Sequence, residues 1–187
     1  ILPTSRENVR DFWSSPYLVS YSAINSWIGE EVRPVGLDLE YRYDDGTRSL
    51  RIAGTVFGAN DTAGTLLAWR GWSFGNRLTT LGEKLPLPPL GSLDEFFVAQ
   101  GDGTTPFGDE LDGEMGWSTR LRFDQWEWLT LQATHYDNRG DRDLHGDEYA
   151  WDTVFDLFAL QLRPFAGLTI AAEHMTGTTD MGLSPVA

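Results

Sequence analysis

The chain has no cysteine among its 187 residues, and its 14 basic groups include a single lysine, Lys84. Without thiols there is neither a disulfide scaffold nor a thiolate metal site. Against those 14 basic groups stand 28 acidic ones, so the net charge is −14, the wrong sign for a nucleic-acid binder. Long apolar runs are missing too. The longest uncharged stretch, Phe12 to Gly29, covers 18 residues but holds five serines, a proline and an asparagine. A spanning helix needs about 20 mostly apolar residues, so a helical membrane protein is excluded. Ile1 is not followed by a basic stretch and an apolar run, so no signal peptide is expected. The absent initiator Met points to a mature form or an excised piece. Histidine is confined to His135, His145 and His174, and no two of them have metal-ligand spacing. There is no Gly-x-Ser-x-Gly elbow and no phosphate loop. The sequence therefore suggests no enzyme, cofactor or metal, although its many carboxylates leave a glycosidase dyad open.

What is present is 41% hydrophobic and 13% aromatic residues, with eight tryptophans, enough to build a core. The length fits one domain of about 100–200 residues. The clearest signal is period two. Val35, Leu37, Leu39, Tyr41 and Tyr43 alternate with Gly36, Asp38, Glu40 and Arg42. This is a strand with an apolar face and a charged face. After a turn at Asp44–Asp45–Gly46–Thr47, the chain returns through Leu50, Ile52, Gly54 and Val56 alternating with Arg51, Ala53 and Thr55. A second hairpin pairs Trp117–Asp124 with Leu129–Thr134. A third pairs Phe158–Leu162 with Leu168–Glu173, and its alternation fails at Asp156 and Leu157.

Six strands in three hairpins are expected. Turns of about two to five residues lie within hairpins, and long segments, 58–115 and 137–152, lie between them, with 1–34 as a further long loop. Such short–long alternation is the pattern of a transmembrane β-barrel. Tyr41, Tyr43, Trp126, Trp128 and Phe165 fall at the short-turn ends, and Trp117, Tyr136, Tyr149 and Trp151 at the long-loop ends. Two aromatic belts at the membrane interfaces are the expected reading. A soluble β-sandwich, serving as a carbohydrate-binding module or glycosidase, stays open, as does a structural barrel with no conducting pore.

Two segments, SSPYLVSYSAINSWIGEEVRPVG (Ser14 to Gly36) and LLAWRGWSFGNRLTTLGEKLPLPPL (Leu66 to Leu90), together with Tyr149–Ala150–Trp151–Asp152–Thr153, resemble porin-like outer-membrane β-barrel proteins of Gram-negative bacteria. The resemblance implies an antiparallel up-and-down barrel in the outer membrane, with lipid around it and small hydrophilic solutes diffusing through a polar lumen. It implies no catalytic residues. A homo-oligomer is compatible with it. Six strands fall short of the roughly eight of the smallest barrels, and no final strand ends in an aromatic residue. The chain is therefore expected to be an incomplete part of a larger barrel.

On this reading Asp38, Glu40, Arg42, Arg51, Arg120, Arg122, Gln132 and Glu173 line the pore. Charges are tolerated in a watery lumen but cost about 2–4 kcal/mol on the lipid face at midplane. Segment 58–115 is the expected constriction loop, with Trp69, Arg70, Trp72 and Arg77 offering aromatic and cationic groups to sugars or anions. Asp141–Arg142–Asp143–Leu144–His145–Gly146, followed by Asp152, nearly spells a calcium loop. It departs at His145 and at Asp152, so an acidic surface loop is expected instead.

Overall fold

The computed structural model describes residues 23–73, 79–89, 100 and 103–182. Six long strands form one antiparallel sheet: β1 (Val35–Asp44), β2 (Arg48–Gly58), β5 (Gly116–Gln125), β6 (Leu129–Asp137), β9 (Asp152–Phe165) and β10 (Leu168–Asp180). Their spatial order is β1-β2-β5-β6-β9-β10, each beside its neighbour in the series. Short pairs decorate the long connections: β3 (Leu85–Pro86) with β4 (Gly103–Thr104), and β7 (Leu144–His145) with β8 (Glu148–Tyr149). Among the described residues β1 and β10 are edges and the sheet is not closed.

The tight turns follow from local chemistry. Gly46 takes φ +81°, a conformation that disfavours other residues. The Asp45 carboxylate accepts the N–H groups of Thr47 (2.8 Å) and Arg48 (2.6 Å), closing the first hairpin. Gly167, at φ +87°, turns the third.

The long segments contain more structure than the sequence suggested. Segment 1–34 carries helix α1 (Ala23–Glu31), and 58–115 carries helix α2 (Thr65–Arg70). In α1, Ile24, Trp27 and Ile28 recur at helical spacing, and Pro34 prevents its continuation. Its apolar stripe packs on the sheet near the long-connection end. There Trp27, Ile28, Val32, Phe57, Tyr136, Phe155 and Leu157 form the buried core.

Three rings on neighbouring strands hold this core. Tyr136 is fully buried between Phe57, at 5.1 Å, and Phe155, at 4.8 Å, and is nearly parallel to both. Its hydroxyl donates to Asn60 Oδ1 at 2.5 Å. Phe57 reaches Tyr136 across β5 because its register partner there is Gly116.

Two expectations are corrected here. Tyr136, Tyr149 and Trp151 are buried and form no exposed belt, whereas Trp117 and the five short-turn aromatics are well exposed. The broken alternation at Asp156 and Leu157 marks where α1 covers the face that is polar elsewhere, so Phe155 and Leu157 turn inward and are buried.

Two strand glycines give a contrast. A Cβ on Gly116 would lie 2.5 Å from the Phe57 ring, whereas one on Gly54 would meet nothing within 4 Å. Gly116→Ala should therefore cost about 1–3 kcal/mol in denaturant unfolding, and Gly54→Ala less than about 0.5 kcal/mol. Equal effects would contradict the ring-over-glycine packing.

Candidate functional site

The pleat sorts each strand into two faces, and the polar one is the covered one. Ser49, Ala53, Thr55, Ser118, Arg120, Thr130, Gln132 and Thr134 are buried, while Leu37 and Leu39 on the opposite face are 84% and 81% exposed. All eight residues expected to line a pore lie on this polar face by strand parity, although Asp38, Glu40 and Arg42 on the edge strand β1 are exposed. Register pairs Arg42 with Arg51, Arg51 with Arg122, Arg122 with Gln132, Gln132 with Ala159 and Ala159 with Glu173. Five of the eight thus share one row across the sheet. Glu40 and Arg120 occupy the next row, linked through Ala53, and Asp38 the one after.

Three arginines side by side repel one another. Two are compensated within their own strands. Arg42 meets Asp44 at 2.5 Å, and Arg122 forms a forked pair with Asp124 at 2.8 and 2.9 Å. Arg120, only 8% exposed, crosses over the small Ala53 to Glu40 at 3.3 Å and Asp38 at 3.7 Å. Thr55 donates to Asp38 at 2.5 Å. Arg51, between the other two arginines, forms no ion pair among the described residues, and its buried Nε has no hydrogen-bond partner. At the far side of the row, Glu173 accepts two hydrogen bonds from Asn25 of α1, at 2.9 and 2.8 Å.

Two of the four expected constriction residues contact α1. Arg70 pairs with Glu30 at 2.6 Å, and Trp72 meets Trp27 edge-on at 5.8 Å. Trp69 lies in α2, and Arg77 lies outside the described residues. The element that covers the polar face at its long-connection end is thus α1 with α2. Sequence reasoning left α1 inside a loop, although its Ile24-Trp27-Ile28 spacing was the available signal.

No family model, curated protein or solved structure matches this chain.

The near-calcium loop is already occupied by protein groups. Asp141 meets His145 Nε2 at 2.9 Å, and Asp152 pairs with Arg142. Elsewhere, Asp61, Glu110 and Asp112 bring carboxylate oxygens within 4.8 Å of one another. Backbone N–H groups serve this cluster: Leu111 and Asp112 on Asp61, Ala59 on Glu110, and Glu114 on Asp112. No ion is assigned to it.

Burial, reinforced by Asp112 and Glu110, pushes the Asp61 carboxyl from 3.8 up to about 7, against the Leu111 N–H that favours the ionised form. A carboxyl whose folded value lies above its exposed value stabilises the fold below pH 3.8. That stabilisation is lost as pH rises through about 7. Asp61→Asn should therefore gain about 2–4 kcal/mol on wild type between pH 4 and 8, read as the difference between their unfolding curves. A constant difference across that range would contradict the assignment.

Proposed function

We propose that this chain is part of an outer-membrane, antiparallel up-and-down β-barrel through which small hydrophilic solutes diffuse passively, without catalysis or a cofactor. The observation that carries the reading is the uncovered apolar face. Val35, Leu37, Leu39, Ile52, Val56, Leu121, Leu131 and Ile170 are all exposed, and among the described residues no second sheet packs on them. In water so large an apolar face is a liability, whereas in lipid it is the required surface. Bilayer-spanning strands need about 9–11 residues, and these six run from 9 to 14.

The boundary of the apolar band supports the same reading. On β1 the outward residues stay apolar from Tyr43 up to Val35. In the register row of Leu39 the outward residues become His135 on β6 and Asp156 on β9, joined at 2.8 Å. On β10 the change comes earlier, at His174, in the row of Tyr41. The band therefore slants toward the short turns from β1 to β10. Tilted barrel strands produce such a slant when they cross a flat apolar slab. The short-turn aromatics Tyr41, Tyr43, Trp126, Trp128 and Phe165 fit one interface of that slab. No helix among the described residues is long and apolar enough to cross a membrane, so the strands are what would cross it. Closure needs additional strands beside β1 and β10.

The polar face then lines the lumen, with α1 and α2 narrowing it at the long-connection end. The test is planar-bilayer recording with the complete barrel to which these six strands belong, which should give discrete current steps; a silent membrane would refute the channel. Among the described residues Arg51 forms no ion pair within contact distance, so Arg51→Gln should raise the cation-to-anion permeability ratio severalfold without unfolding the protein. An unchanged ratio in a conducting channel would remove Arg51 from the lumen.

A further inference from the structure

The polar face repeats a two-row motif on neighbouring strands. On β1, Arg42 is followed two residues later by Asp44, and on β5, Arg122 by Asp124. Each arginine binds that aspartate, Arg42 at 2.5 Å and Arg122 through the fork at 2.8 and 2.9 Å. Each aspartate also has a further donor: the Gly46 N–H on Asp44 at 2.9 Å, and the Thr130 hydroxyl on Asp124 at 2.7 Å. Strand β2 lies between the two. Its Arg51 is paired in register with Arg42 on one side and Arg122 on the other, and its Ser49 with Asp44 and Asp124. β2 thus keeps the arginine of the motif but carries a serine at the carboxylate position.

The Nε of Arg51 and the Oγ of Ser49 are both buried, and neither has a hydrogen-bond partner. Ser49 is 9% exposed, and Arg51 is half-buried. Buried donors left unmet are costly, and folded proteins rarely carry two at successive positions of one strand face. Arg51 senses Asp44 and Asp124 through their charge, but each of these is bonded to its own arginine. On the other side of Arg51, the next row holds Glu40 and Arg120, which pair with each other over Ala53, and Asp38 also faces Arg120. In the two rows of the motif, three guanidiniums therefore stand against two carboxylates, an excess of one positive charge.

We propose that Arg51, beside Ser49, binds the carboxylate group of a small solute, which takes the place on β2 that Asp44 and Asp124 fill on the flanking strands. A guanidinium fork matches the two oxygens of a carboxylate, and Arg122 with Asp124 shows that geometry one strand away. The Ser49 hydroxyl supplies a further donor, the part Thr130 plays for Asp124. One carboxylate brings the two rows to charge balance. A phosphate dianion exceeds it and meets stronger repulsion from the aspartates on both sides. The site stands on the repeat alone. That the pore selects carboxylate-bearing solutes rests on the channel reading.

The test titrates acetate into the complete barrel in detergent and follows the Arg51 Nε–H resonance, assigned by its loss in Arg51→Gln. Chloride and phosphate are titrated alongside at equal ionic strength. The expected result is a saturable shift with acetate, reached with chloride or phosphate only at severalfold higher concentration. Ser49→Asp places the third carboxylate within the chain. It should abolish the acetate response and hold the Arg51 resonance near the position that acetate produces in the wild type. Absence of a saturable acetate shift in the wild type overturns the proposal. So does an acetate shift that persists in Ser49→Asp, and so does an equal response to all three anions, the sign of general charge attraction. Should Ser49→Asp not fold, the three wild-type titrations still decide. Acetate binding in a barrel that carries no current would end the channel reading and leave the site standing, whereas a conducting barrel that ignores acetate would end the site alone.

Discussion

A pleated strand can hide only one of its faces behind a given cover, and here the hidden face is the polar one. Everything else in the molecule accommodates that constraint. Arginines and carboxylates that would ordinarily face solvent find partners along a strand, as Arg122 does with Asp124, or across one, as Arg120 does with Glu40, while Arg51 forms no ion pair among the described residues. Buried charge is tolerated only when paired or in contact with water. Among the described residues no protein covers the outward face, on which Leu37 and Leu39 are the most exposed.

The covering elements divide the polar face into two regions. Near the long connections, α1 brings Trp27, Ile28 and Val32 against Phe57, Tyr136 and Phe155, and the face becomes a small apolar core. Nearer the short turns, no helix among the described residues packs on the row from Arg42 to Arg122, which retains its charge. Gly116 makes the first region possible by leaving room for Phe57 to reach Tyr136. Glu31 and Asn60 join the two helices to that stack.

The six strands and their three tight turns were legible because period two is a direct consequence of the pleat, and because Asp45–Gly46 carries its own turn chemistry. The shared face of the eight polar residues followed from the same parity. Their assembly into one row did not, because register between strands depends on pairing that single-strand patterns leave unspecified. Helix α1 was hidden by its own shortness: three apolar residues at helical spacing, among serines and before a proline, give a weak signal. The same omission explains the misread aromatics. Tyr136, Tyr149 and Trp151 look like interface residues until a covering element is placed over the inner face. The irregularity at Asp156 and Leu157 was the trace of that element in the sequence, visible only as a broken alternation.

The central claim, that the outward face meets lipid and the inward face meets water, is open to a direct reading because these 187 residues contain no cysteine to remove. Single cysteines placed along β5 from Ser118 to Phe123, spin-labelled in bilayer-reconstituted protein, report collisions with oxygen, which partitions into lipid, and with a water-soluble nickel chelate. The account predicts strict alternation: oxygen contact at Thr119, Leu121 and Phe123, and at Ser118, Arg120 and Arg122 low oxygen contact with whatever nickel contact the covering leaves. Nickel contact at Thr119, Leu121 and Phe123, or low contact with both reagents there, would contradict it.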